Sequence, residues 1–214
     1  MGAIEYIIDN PGRLLGMGIE HAILVLIAVA AAGLVGVGLG VATYRRPVAA
    51  SMAAAVCATI LTIPSFALFG LMLAWVGLGN TGVVIALVAY GLLPIVRNTI
   101  TGLQGVDPAI TESAKGMGMS GRQVLLRIEL PLAWPVIIAG LRVATMLVVS
   151  ILAIGAYIGA DGLGNEIFRA LSNIGSVWAL DVAIAATVAI VAVALVLETF
   201  WVVVDRLTTP RGLR

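Results

Sequence analysis

Window hydropathy divides the chain into five long apolar runs, at about Ala22 to Tyr44, Ala49 to Val76, Gly82 to Thr99, Trp134 to Tyr157 and Leu180 to Val204. A helix of about 20 apolar residues crosses the hydrocarbon layer of a bilayer, so each run predicts a membrane span. Two polar segments interrupt the pattern. One reads TESAKGMGMSGRQVLLRIELP and lies between the third and fourth runs; the other, IGADGLGNEIFRALSNIGSVW over 158–178, lies between the fourth and fifth. Ahead of the first run, MGAIEYIIDNPGRLLGMGIEH carries Glu5 and Asp9 where a secretory signal would be basic. Residues 1–21 therefore read as a short amphipathic segment at the membrane surface.

Composition supports lipid as the solvent. The chain is 61% hydrophobic and 11% charged, with a mean hydropathy of +1.14, whereas a soluble domain is roughly half apolar and a quarter charged. The 214 residues form one membrane domain. A net charge of +1 offers no electrostatic case for a nucleic-acid partner, and Cys57 as the sole cysteine excludes an intrachain disulfide.

Basic residues orient the spans, because loops rich in Lys and Arg stay in the cytoplasm. Arg45, Arg46, Arg97, Lys115, Arg122, Arg127, Arg206, Arg211 and Arg214 fall on one side, and only Arg13 and Arg169 on the other. That asymmetry predicts an outer N-terminus, a cytoplasmic C-terminus, a cytoplasmic segment 107–131 and an outer loop 158–178. Trp75, Tyr157 and Trp178 then fall at outer span ends, and Tyr44, Trp134 and Trp201 at inner ends, as interfacial rings prefer.

The cytoplasmic segment predicts two short helices joined by a turn. Asp107 caps the first with Pro108 at its first position, and Gly116 and Gly118 end it. Ser120 with Gln123 forms a capping box for the second, which runs through LLRIE to Pro131. A passive return loop needs only a few residues; this larger knob reads as a docking surface. Glu112 and Lys115 share one helix face, and small Ala114 and Gly118 permit close approach.

Prolines and polar groups inside spans mark where helices bend or line a water-filled route. Thr62, Pro64, Ser65, Tyr90 and Pro94 are such positions, and with Phe66 and Phe69 they make the candidate translocation path; packing kinks with satisfied hydroxyls are the alternative. Gly33, Gly36, Gly38 and Gly40 read as a close-packing surface. His21 stands without a ligand set, so no metal site is expected. Arg142 lies inside a span and either snorkels or pairs with an acid such as Glu129, and Glu198 reads as snorkelling or locally paired. Neither has a nucleophile or paired carboxylate beside it, which argues against an intramembrane enzyme.

Glu112-Ser113-Ala114, three residues, Gly118, nine residues, then Ile128-Glu129-Leu130-Pro131 resembles the EAA loop of ABC importer permeases, with Ser113 in place of alanine. LTIPSFALFGLML, YGLLPIVRNTITGLQGVDP and YIGADGLGNEIF resemble the permeases for glycine betaine, carnitine, choline and related osmoprotectants, which often have glycine in place of Asp161. The resemblance implies an all-α integral membrane protein of the type I ABC importer permease fold, with about five transmembrane helices and a cytoplasmic coupling loop. It implies that Glu112, Ser113, Ala114, Lys115, Gly118, Ile128, Leu130 and Pro131 couple to an ATPase. The partners it implies are two ATPase subunits, a second permease copy or sister permease, an extracytoplasmic substrate-binding protein and membrane lipid. Since the chain holds no G-x-x-x-x-G-K-[ST] phosphate loop, ATP and Mg belong to the partner ATPase, and no cofactor is expected on this chain. A permease for methionine, a sulfonate or another amino-acid-like solute is the alternative within the same class.

Overall fold

The structure, a computed structural model, describes residues 2–209. Arg211 and Arg214, counted in the charge asymmetry, lie outside the described residues. Ten α-helices follow in order among these residues: α1 (Ala3–Asp9), α2 (Pro11–Thr43), α3 (Pro47–Thr62), α4 (Ser65–Val76), α5 (Asn80–Gln104), α6 (Pro108–Gly116), α7 (Gly121–Val124), α8 (Leu130–Gly155), α9 (Gly164–Ser172) and α10 (Ala179–Thr208). Four stretches are long and apolar enough to cross a membrane, and a fifth exists if α3 and α4 count as one.

Helices α2, α5 and α8 form the centre, and small residues let their backbones close. A Cβ on Gly36 would stand 2.9 Å from Ile95, one on Gly40 2.6 Å from Thr99, and one on Gly140 2.9 Å from the Pro94 carbonyl. Without a hydrophobic drive between helices in lipid, such close van der Waals contact is what holds them together. Gly33, Gly36 and Gly40 thus share one packed face, while Gly38 points away from it and is exposed.

Three boundaries differ from the sequence reading. The first span does not begin at Ala22. Pro11, whose missing N–H costs nothing at a helix start, opens a helix of 33 residues, so only Ala3–Asp9 of the segment 1–21 stands apart. The second run is not one rod: α3 and α4 meet at Ile63-Pro64 at 91°. At 1.5 Å per residue α3 reaches about 24 Å, short of the roughly 30 Å hydrocarbon thickness, and α4 turns across its end. Finally, the second cytoplasmic helix does not stop at Pro131. A π turn over Leu125–Glu129 carries it directly into α8.

Hydrogen bonds gather the helix ends into two opposite faces. On one, Gln104 Nε2 donates to the Tyr44 carbonyl at 2.8 Å and Trp134 Nε1 to Thr208 Oγ1 at 2.8 Å. On the other, the Gly79 amide donates to the Ile158 carbonyl at 3.0 Å.

Candidate coupling surface and permeation elements

Helix α6 is built to stand free of the bundle. Asp107 accepts from the Ala109 amide at 2.8 Å, and Pro108 follows it at the first helical position. Gly118 takes φ +85°, a region costly for a side chain, and this reverses the chain toward α7. There Ser120 and Gln123 complete the capping box from both directions. Ala114 is the one buried residue of α6, and it anchors the helix while Glu112, Ser113 and Lys115 face outward. Among the described residues neither Glu112 nor Lys115 has an intrachain ion pair. Ile110 and Met117 add exposed apolar area beside them. An uncommitted charge pair flanked by apolar side chains suits a protein partner better than bare solvent.

Behind this face the chain is stiff. The helical stretch Gly121–Ile158 spans 38 residues, about 57 Å at 1.5 Å per residue. The π turn explains how it survives Pro131: the Leu130 amide bonds to the Leu125 carbonyl, five residues back, so the register shifts before the proline ring would meet the preceding turn. Ile128, Leu130 and Pro131 line this junction, each partly buried. Glu129, buried to 8% exposure, accepts from Tyr44 Oη at 2.6 Å and from Arg45 Nη2 at 3.0 Å. It therefore ties the junction to the end of α2, and sequence reasoning missed it. The available signal was a Tyr-Arg pair closing the first span opposite a lone acid in the loop.

Arg142 does not reach Glu129. Its guanidinium pairs with Glu198 of α10 instead, so the two charges inside spans neutralise each other. Trp201 is likewise not an interfacial ring: α10 continues to Thr208, and Trp201 Nε1 donates to Thr145 Oγ1 at 2.8 Å within the bundle.

The candidate path residues separate into two groups around the α3–α4 break. Tyr90, 2% exposed, donates from its hydroxyl to the Ile63 carbonyl at 2.6 Å, supplying a partner to a backbone group freed by the break. Phe69 is fully enclosed in the central core. Thr62, Pro64 and Phe66 are exposed, with Ser65 and Pro94 partly so, and the Thr62 hydroxyl donates to the Thr59 carbonyl at 2.7 Å.

Residues 28–210 match the family model described as the binding-protein-dependent transport system inner membrane component. The chain belongs to that family. Among its curated relatives in this family, the osmoprotectant import permease protein OsmW of Salmonella typhimurium is 37% identical, the match covering 100% of both chains. The glycine betaine/carnitine/choline transport system permease protein OpuCD of Bacillus subtilis is 40% identical over 92% of this permease and 85% of that one. A chain of the inward-facing MetNI methionine ABC transporter superposes with a TM-score of 0.79 at 19% identity, over 92% of this permease and 96% of that chain. That likeness establishes the type I importer permease fold.

At the end of the permease opposite α6, Glu166 organises a second cluster. Its carboxylate is wholly buried, accepts from Tyr6 Oη at 2.8 Å, and lies 2.5 Å from Arg13 and 3.3 Å from Arg169. Arg169 also stacks over the Trp178 ring at 5.2 Å. These contacts pin α1 and the start of α2 to α9 and α10. Burial first, then the bond to Glu166, push the Tyr6 phenol above its ordinary 10.0. A raised acid of this kind keeps its stabilising proton below that value and loses it only as pH climbs beyond, so the clasp holds throughout neutral pH.

Proposed function

We propose that this permease is the membrane-spanning subunit of an ATP-driven importer that carries osmoprotectants such as glycine betaine, choline or carnitine inward. The carrying observation is the outward Glu112–Lys115 face of α6, presented on a capped helix and joined through an unbroken helix to the centre of the bundle. In this reading α6 sits in a groove of a separate ATPase subunit, two of which serve a pair of permeases, and an extracytoplasmic binding protein delivers the solute. Glu112 is the polar anchor, and Ala114 and Gly118 permit close approach. Ile128, Leu130 and Pro131 carry the displacement into α8, while Glu129 makes α2 follow. Close packing of α8 on α5 then transmits it to the α3–α4 break, where two arrangements of similar energy alternate access around a site near the midplane. ATP and Mg are bound by the ATPase.

The solute class draws its support from relatives that match over nearly their whole length and carry osmoprotectant, choline, carnitine or glycine betaine in their names. The experiment is Glu112→Lys. The variant is expected to insert normally, lose copurification of the ATPase and reduce uptake of labelled glycine betaine to background. Normal uptake with undiminished copurification would remove α6 from the coupling role.

A further inference from the structure

Most of the aromatic rings already have tasks inside the chain. Tyr6, Tyr44, Tyr90, Trp134 and Trp201 donate hydrogen bonds, Phe69 fills the core, and Trp178 carries Arg169. Phe66, Tyr157 and Phe168 are different. They come from the first turn of α4, from the 3-10 turn after α8 and from α9, and they meet at the end opposite α6. Phe66 and Tyr157 stand 5.2 Å apart with planes at 72°, and Tyr157 and Phe168 6.0 Å apart at 39°. Large areas of two of them are open, with Phe66 50% and Tyr157 62% exposed.

Their backbone is held in place independently of the rings. The Gly79 amide bonds to the Ile158 carbonyl at 3.0 Å. Asn80 donates to Asp161 at 2.7 Å and accepts from the Asp161 amide at 2.9 Å. Phe66 is placed by the break that Tyr90 stabilises. A corner of fixed, open aromatic faces is thereby prepared before any ligand arrives, which lowers the ordering cost of binding. No cation of the chain fills it: among the described residues, arginines lie over only Tyr44 and Trp178. Arg13 and Arg169 at this end are both drawn to Glu166, and the exposed Asp161 on the same loop adds negative potential.

We infer that Phe66, Tyr157 and Phe168 form a weak receiving subsite for a trimethylammonium group; this rests on the osmoprotectant reading above. Such a cation is soft, methylated and poorly hydrated, so aromatic faces can replace its water without oxygen ligands. A metal ion would need a ligand set, and no group of three His, Cys, Asp or Glu exists among the described residues. The partial exposure keeps the attraction modest, which suits a relay that must release its cargo.

The test uses the importer assembled with its own ATPase and binding protein in proteoliposomes, and the variants Tyr157→Leu, Tyr157→Phe and Phe66→Leu. Leucine keeps apolar bulk and removes the ring face, whereas phenylalanine keeps the face and removes only the hydroxyl. Uptake of labelled choline and glycine betaine is expected to fall roughly 3- to 10-fold in Tyr157→Leu, somewhat less in Phe66→Leu, and less than about 2-fold in Tyr157→Phe. Saturation-transfer NMR on the purified permease supplies the second arm. It compares choline with its uncharged carbon analogue, in which a tert-butyl group replaces the trimethylammonium. Choline methyl signals should saturate more strongly, and the difference should vanish in Tyr157→Leu. Equal saturation by the analogue, or leucine variants that match wild type in both arms, would overturn the subsite and leave the rings as interfacial anchors. Should Tyr157→Leu fail to insert, Phe66→Leu carries the same comparison. A wild-type importer that moves neither solute would overturn the osmoprotectant reading instead, while the NMR arm would still decide the subsite.

Discussion

Arg142 and Glu198 show how a residue can be conspicuous in a sequence while its partner is not. Both stand out as ionisable groups inside apolar runs, yet 56 positions separate them, and only the packing of α8 against α10 brings them together. Glu129 looked like the nearer acid for Arg142, but it is already occupied by Tyr44 and Arg45. An unpaired charge in an apolar setting is costly, and removing one member of a buried pair costs about 3–5 kcal/mol. Here the side chains remain 36% and 32% exposed, so the expected loss is smaller, about 1–3 kcal/mol. Arg142→Met and Glu198→Leu should each lower the thermal midpoint of the detergent-solubilised permease, and the double variant should recover most of the loss. A double variant no more stable than the worse single one would show that the two charges act separately.

Elements were legible in number but not in direction. Hydropathy averages along a window, so it registers the apolar content of Ala49 to Val76 and is blind to a 91° turn within it. Pro64 announced a bend without fixing its size, because the size depends on what satisfies the freed backbone. Tyr90 does part of that from another helix, and nothing local to either segment encodes the contact. At the other junction, chemistry that correctly predicted the caps at Asp107 and Ser120 also suggested a stop at Pro131. The π turn overrode it, since shifting the hydrogen-bond register costs less than breaking a helix about to enter the bilayer. Tyr90→Phe tests the break directly. Loss of the 2.6 Å bond leaves the Ile63 carbonyl without that partner, at an expected cost of about 1–2 kcal/mol. The thermal midpoint should fall, with uptake falling beyond what the stability loss explains if the break moves during transport. An unchanged midpoint would mean that another donor serves Ile63.

For the whole molecule, the sequence argument for orientation rested on counting charges, and the structure supplies the grouping that such a count presupposes. Tyr44 and Arg45 meet the α7–α8 junction at Glu129, and Trp134 meets Thr208, so Arg45, Arg46, Lys115, Arg122, Arg127 and Arg206 share one end of the bundle. Arg13 and Arg169 sit together at the opposite end, bound to Glu166. A bilayer that retains basic ends on the cytoplasmic side should therefore hold α6 inside and α9 outside. Single cysteines can read this orientation, and the structure selects where to place them. Ser120 and Asn173 are poor sites because their side chains carry a helix cap and a bond to the Arg169 carbonyl. Met117 and Val177 are better, at 76% and 91% exposed. In a Cys57→Ala background, where the native thiol is buried and small, Val177→Cys should react with a membrane-impermeant maleimide on intact cells, and Met117→Cys should react only after the membrane is opened. The reverse pattern would turn the permease over and place α6 where no ATP is available, which would end the coupling role as well as the topology.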